Sequence, residues 1–372
     1  MLTMVGLAAE IEYPEGGLKA WLVVLGAWCA LASGAGWLNS MGVLMAWISQ
    51  NQLRDVPEST TAWIFSLYGF ALYFCGAQIG PIFDAHDIHL LTIPGSIGMA
   101  TSIMGLSRFS RRRSLATGIA LSAGGLGGVF YPLIILYLGP AIGFPWAVRD
   151  IGFFNVVTGV VGCLLVRKRL PPNKAKGAAI ELKALREPTY AVVTLASFLL
   201  EFTLVTPYTF ISTYAIAEGM DPQKAYMLTT ILSAAGFPGR IVPNYFADRY
   251  GVFNVMTLTA VACIASIFGL WLNAHRIGDG AIIAFAVLWG FWSGASIALA
   301  PVCIGETCET EDYGKRTGTA FFIASFGALM GPPIAGAILD RSGGNYLGGH
   351  HHVGGFTSRA MTTSGWMSPT LY

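Results

Sequence analysis

Charge is what this chain has least of. Of 372 residues, 22 are Lys or Arg and 20 are Asp or Glu, so 11% are charged against 54% hydrophobic. A soluble domain carries about 25% charged residues, and no apolar core is large enough to explain so deep a deficit. The charges present cluster between long apolar runs, the pattern of helices embedded in lipid. Other absences narrow the reading further. A net charge of +2, with no long basic patch interleaved with aromatics, argues against a nucleic-acid partner. Gly-x-x-x-x-Gly-Lys-Ser/Thr is missing, so ATP is not expected to drive the protein directly. His-Glu-x-x-His and Gly-x-Ser-x-Gly are missing too, which speaks against an enzyme. Residues 1–18 hold Glu10, Glu12 and Glu15 and no basic stretch ahead of an apolar one, so the first span is expected to serve as its own insertion signal. The six cysteines have no metal-ligand spacing. Five lie in apolar segments and read as small packing residues. No cofactor and no metal site are expected.

What is present is a series of ten apolar segments, at about 19–46, 61–83, 88–106, 115–138, 143–166, 188–216, 224–247, 252–273, 280–303 and 317–339. Most exceed the 17 to 25 residues a helix needs to cross a bilayer. They are too long for barrel strands and do not alternate with period two. The expected fold is all-α, a polytopic membrane bundle. Glycine is abundant, at 46 residues, and permits close helix packing, as in Gly290-Phe-Trp-Ser-Gly294.

The chain also repeats itself. Thr117, Gly118, Ala120, Gly127 and Pro132 recur as Thr317, Gly318, Ala320, Gly327 and Pro332, an offset of 200, while the segment ending at Asp84 matches the one ending at Asp248, an offset of 164. Repeated halves in a membrane chain imply a transporter with its substrate site between them. The 36-residue difference between the offsets implies that the first half lacks about one span. Charge parity locates the same gap. Basic loops should be cytoplasmic, and those at 108–113, 167–186, 240–249 and 315–316 are mutually consistent. The Asp84 loop is not, because one span separates it from Arg113 where two separate its counterpart from Arg316. The resulting division is a cytoplasmic tail at 1–18, an incomplete N-terminal bundle at 19–166, a basic linker at 167–187, a C-terminal bundle at 188–340, and a polar tail at 341–372 in place of a last helix. His350, His351 and His352 in that tail would need further ligands to hold a metal. The tail is read instead as one altered by splicing, frameshift or gene modelling.

Four segments carry a family resemblance. They are Tyr13-Pro-Glu-Gly-Gly-Leu-Lys-Ala-Trp21, the stretch Gly36–Val43 (GWLNSMGV), Arg111–Pro132 (RRRSLATGIALSAGGLGGVFYP), and Gly239–Gly251 (GRIVPNYFADRYG) followed by GKRTGTAFFIASFGALMGPPIAG. Together they resemble the major facilitator superfamily and, within it, the monocarboxylate transporter family, especially its fungal members. The resemblance implies two six-helix bundles that rock around a central cavity. Ten helices are visible, with helix 3 or 4 and helix 12 missing. It implies a secondary active transporter of small organic acids or related metabolites in the cell membrane, with a small organic solute and the lipid bilayer as partners and a co-transported proton left open. Two alternatives stand beside it: an exporter of a secondary metabolite from a biosynthetic gene cluster, and a truncated membrane protein that no longer transports.

Candidate residues follow. Arg240 lies inside a span, where a charge is costly and usually lines an aqueous path. It aligns with the Arg of the family's helix 8 that binds the substrate carboxylate, and its planar fork suits that group. The Asp that the family sets one turn earlier is replaced by Gly236. The alternative for Arg240 is a loop-motif residue bonding its neighbours at the cytoplasmic end. Glu201, a lone carboxylate in a span, is a candidate proton carrier or partner of a cation, or else a tolerated protonated wall residue. Asn39, Ser40, Tyr208 and Tyr214 are candidates to hydrogen-bond a polar substrate, with contacts between helices as the alternative. Asp84, Asp248, Arg249 and Gly251 are read as loop residues that control alternating access. In the first copy of that motif Asp84-Ala-His-Asp replaces Asp-Arg-Tyr-Gly.

Overall fold

The computed structural model describes residues 18–51, 53–85, 112–165, 181–308 and 312–341, and the described residues form helices joined by short turns, with no strand among them. The tail at 1–17, the apolar segment at 88–106, most of the basic linker and the polar tail from 342 lie outside the described residues. The principal helices are α1 (Leu18–Asn39), α2 (Met41–Asn51), α3 (Glu58–Ala85), α4 (Arg113–Leu133), α5 (Phe144–Leu165), α6 (Pro188–Ala217), α7 (Pro222–Tyr250), α8 (Val252–Ser266), α9 (Asp279–Glu306) and α10 (Tyr313–Arg341).

The expected span at 19–46 is broken. α1 stops at Asn39 and α2 starts at Met41. The break is built by short polar side chains that compete for backbone carbonyls: Asn39 Nδ2 donates to Ala35 O at 2.7 Å and Ser40 Oγ to Gly36 O at 2.8 Å. Two other spans continue through single π turns, Ile134–Leu138 after α4 and Ile267–Trp271 after α8. The first follows Pro132, which has no N–H to give to the helix ladder.

By length and composition five described helices can cross a membrane: Arg113–Ile142, Pro188–Ala217, Val252–Trp271, Asp279–Glu306 and Tyr313–Ala337. α7 is long enough but carries Lys224, Arg240, Asp248 and Arg249 along its 29 residues. The outer surface is apolar. On α5, Phe153, Val156, Val157, Val160 and Leu164 are all exposed, the inverse of a soluble helix and the arrangement lipid requires.

The packing follows the repeat. Offset 164 pairs α3 with α7, and offset 200 pairs α4 with α10. α3 packs along α10, and α4 along α7, so each interface is the image of the other. α1 on α4 is likewise mirrored by α6 on α10. The repeated glycines do the same work in both copies. A Cβ on Gly127 would strike Gly36 of α1, and one on Gly327 would strike the Phe198 carbonyl of α6. The two halves differ in the length of one connection. Between α3 and α4 lie 27 residues, 86–112, whereas 62 residues, 251–312, join α7 to α10 and hold α8 and α9. Two crossings need roughly 40 residues, more than the shorter connection holds. Among the described residues, one continuous buried cluster runs through α6–α10 and takes in parts of α2 and α3, a second joins α1 and α4 with Ala298 of α9, and a third gathers Val43, Tyr131, Ile135 and Ile151.

Candidate functional site

The break after α1 brings Asn39 to the middle of the bundle, where it meets the most deeply buried charge of the described residues. Arg240 is 1% exposed. Its Nη2 donates to Asn39 Oδ1 at 2.9 Å, while Nε and Nη1 have no partner. Among the described residues no carboxylate pairs with it. Nη1 lies over Gly125 of α4 and close to Gly236, one turn away on α7. A side chain at Gly236 would crowd the Gly290 carbonyl of α9, so the position where the family sets an Asp serves here as a helix crossing. The other reading of Arg240, a residue bonding loop groups at the cytoplasmic end, does not match this environment, since its bonded partner is on α1.

Further polar side chains lie around Arg240. Tyr208 on α6 shares a 3.2 Å hydrogen bond with Ser293 Oγ on α9 and stands near the guanidinium. Glu201, two turns earlier on α6, is 6% exposed and has Tyr73 of α3 beside it. Tyr73 also interacts electrostatically with Arg240 and stacks on Phe321 of α10 at 5.8 Å and 5°. Ser233 Oγ reaches the Asn39 carbonyl at 3.4 Å. The cluster draws on both halves: Asn39 and Tyr73 from the first, Glu201, Tyr208, Arg240 and Ser293 from the second. Of the residues singled out in the sequence, Arg240 and Asn39 bond directly, with Tyr208 and Glu201 nearby on α6. Ser40 bonds its own helix, and Tyr214 stacks on Trp271 at 4.9 Å, toward the other end of α6. Tyr73, Ser293 and Ser233 were missed, because a Tyr or Ser inside an apolar helix carries no signal apart from packing.

The loop-motif residues separate into distinct roles. Asp248, on the last turn of α7, accepts from Ser114 N at 3.0 Å and Leu115 N at 3.1 Å, so it caps the N-terminus of α4 from across the molecule. Two otherwise orphan helix donors and the positive end of the helix dipole both favour a carboxylate there. Gly251 ends α7 with φ +90, a backbone angle that suits glycine. Arg249 is exposed and lies over the Tyr245 ring at 4.8 Å. Asp84 stands in the last turn of α3. Beside the Asp248 cap, Arg113 lies over the Tyr313 ring at 4.3 Å and against Gly305, near the C-terminal end of α9. Outside the spans, Glu187 receives two bonds from Arg316, at 2.5 and 2.8 Å, and this pairing lowers its pKa.

This fold and this polar centre between two repeated halves define a membrane transporter. The Major Facilitator Superfamily profile matches residues 95–332, and the chain belongs to that family. It is 32% identical over 369 residues to "MFS-type transporter 1" of Ophiocordyceps sp., covering 90% of this chain and 82% of that one. It is 30% identical to a riboflavin transporter of Saccharomyces cerevisiae, covering 89% and 74%, and 31% identical to an aspyridones efflux protein of Emericella nidulans, covering 91% and 75%. In fold it is similar to the human organic anion transporter MFSD10, with TM-score 0.69 at 12% identity over 94% of this chain and all of that one. It is also similar to the Escherichia coli fucose:proton symporter, with TM-score 0.62 at 14% identity, covering 95% and 98%. It is thus a multi-pass membrane protein and a transporter, not an enzyme.

Proposed function

We propose that this chain is a secondary carrier, of the monocarboxylate-like branch, that moves a small organic acid or related organic metabolite across the cell membrane by alternating access. The observation that carries the reading is the state of Arg240. Its guanidinium is buried, is bonded at one nitrogen and keeps two nitrogens without an acceptor. Unpaired charged donors in an interior are costly. A substrate carboxylate would satisfy both at once, in the forked geometry that Arg favours. Asn39 orients the guanidinium, and Tyr208 adds a hydroxyl within reach. Glu201 carries a co-transported proton, and Asp248 with Gly251 closes the cytoplasmic side, Asp84 and Arg249 being the remaining residues of the loop motifs. The bundles at 19–166 and 188–340 move about this centre, joined by the basic linker.

The test is uptake of a panel of labelled organic acids into vesicles holding the full chain. Arg240→Ala is expected to abolish uptake at normal surface expression, and unchanged uptake removes Arg240 from the site. A second reading, export of a secondary metabolite, is favoured by the relative named as an efflux protein. It predicts accumulation in inverted vesicles instead. A product that no longer transports is favoured by the 27-residue connection between α3 and α4, and predicts no movement in either orientation.

A further inference from the structure

α2 belongs to the first half by sequence, yet it lies wedged between the halves. Met41 and Met45, four apart and so on one face of the helix, are buried in the cluster that runs through the second half. Val43 and Trp47, on the opposite face, rest on the first half. Val43 lies in the cluster with Tyr131 and Ile151, and Trp47 stacks on Phe144 at 4.2 Å and 7°. The seat is tight at Gly42, where a Cβ would come within 2.6 Å of both the Tyr208 carbonyl of α6 and the Thr229 hydroxyl of α7. At the far end of α2 the Tyr226 hydroxyl of α7 donates to Gln50 Oε1 at 2.6 Å. Tyr226 stands near the start of α7 and Asp248 in its last turn, so this bond and the Asp248 cap lie at opposite ends of the molecule. α2 therefore occupies the path from the polar centre, at Asn39, to the end opposite that cap.

At its near end α2 is joined to α1 through a single residue outside the helical ladder. Ser40 N bonds the Trp37 carbonyl at 3.0 Å, three residues back, and the Asn39 and Ser40 side chains take the Ala35 and Gly36 carbonyls. A break of this kind lets a segment swing through a few backbone angles. Asn39 itself is pinned, by Arg240 at 2.9 Å and by Ser233 on its carbonyl at 3.4 Å, so the swing falls after it. The seat in the second half is made by methionines, whose unbranched chains re-pack with little strain. We propose that α2 is a hinged lid, latched by Gln50 to Tyr226, that opens the path to the polar centre from the end opposite the Asp248 cap without the two bundles having to part. The lid is thus a local motion in addition to any rocking of the halves.

Labelling of a cysteine beneath the lid tests this. Ser212 of α6 is buried and shares a 3.0 Å hydrogen bond with Thr229, the residue against which Gly42 sits. In the full chain with its six native cysteines replaced by Ala, Ser212→Cys is offered a membrane-impermeant maleimide in right-side-out vesicles. Tyr226→Phe removes the latch hydroxyl and keeps the ring. It is expected to speed labelling roughly fivefold, the strength of one hydrogen bond, and an unaltered rate overturns the lid. If Tyr226→Phe does not reach the membrane, Gly42→Ala decides in its place, since its methyl group keeps α2 from seating. A staple separates the lid from rocking of the bundles. Ser59 of α3 and Gly336 of α10 face each other across the two halves at the end where α2 finishes, and a Cβ on Gly336 would stand 3.4 Å from that of Ser59, close to the span of a disulfide. Oxidising the Ser59→Cys, Gly336→Cys pair ties the halves together there and leaves α2 unattached. The acceleration is expected to survive oxidation. Its loss in the oxidised protein and return with reductant would mean that the halves part and carry α2 with them, which overturns the proposal. The readout needs no substrate, so it decides the lid whether or not any organic acid is taken up.

Discussion

At the scale of single residues, the site is legible wherever the sequence breaks a rule of lipid. Arg240 and Glu201 stood out because charge inside a span is costly. Asn39 stood out because a polar pair interrupts an apolar run. Ser293 did not, because its place beside Tyr208 depends on how α6 and α9 cross, and no pattern along α9 encodes that. The contact between Asn39 and Arg240 makes a sharp prediction. Asn39→Asp would place a carboxylate where Oδ1 now accepts at 2.9 Å and supply the anion that the substrate is proposed to bring. Transport should fall by roughly tenfold or more, given the strength of a charge-assisted bond, while the melting temperature in detergent is maintained. Undiminished uptake would mean that the substrate does not compete for this nitrogen. A second prediction concerns acid. Arg316 lowers the pKa of Glu187, so the pair stabilises the fold above the ordinary carboxylate range, near 4.3, and that contribution is lost as pH falls through the lower folded value. The stability gap between the wild type and Glu187→Gln, read as melting temperature, should therefore close as the medium is acidified. Both groups are partly in water, so the gap is small even at neutral pH.

At the scale of helices, the repeat located most of the elements because close packing leaves a mark in composition. Glycines that face a neighbouring backbone recur at a fixed offset, and those that face lipid need not. Gly327 and Gly159 separate the two cases. A Cβ on Gly327 would press into the Phe198 carbonyl, whereas nothing lies within 4 Å of one on Gly159. Replacing a mid-helix Gly by Ala gains about 1 kcal/mol in propensity, and overpacking costs about 1–3 kcal/mol. Gly159→Ala should thus hold or raise the melting temperature and Gly327→Ala should lower it. Equal behaviour of the two variants would mean that α6 and α10 are not held at this distance. What the repeat did not reveal was the break between α1 and α2. Hydropathy averages over a window and passes through Asn39-Ser40 without a dip, so the segment read as one span. The break depends on two side chains capturing the Ala35 and Gly36 carbonyls, a local competition that a window average does not register.

At the scale of the molecule, the two halves are joined near the ends that the basic loops assign to the cytoplasm. The join is electrostatic: Asp248 of the second half caps α4 of the first, and Arg113 of the first lies against Tyr313 and Gly305 of the second. The sequence marked Asp248 as a loop residue tied to alternating access, but its partners, two backbone N–H groups 133 and 134 residues away, carry no side-chain signature. If this cap holds the cytoplasmic side closed, removing it should populate states in which that side is open. Asp248→Ala leaves the Ser114 and Leu115 donors without their acceptor, so water becomes their better partner, and α4 and α7 are expected to part there. Cys308 provides the reporter. It is half-buried just beyond α9, with its thiol directed at the Ile304 and Gly305 carbonyls. In inverted vesicles, with the other five cysteines replaced by Ala, a membrane-impermeant maleimide should label Cys308 several-fold faster in Asp248→Ala than in the parent. Asp248→Glu, which keeps the charge, should label at an intermediate rate. Labelling at the parent rate in both variants would mean that the α4 cap is a structural contact within a closed bundle, with no part in the alternation between its two faces.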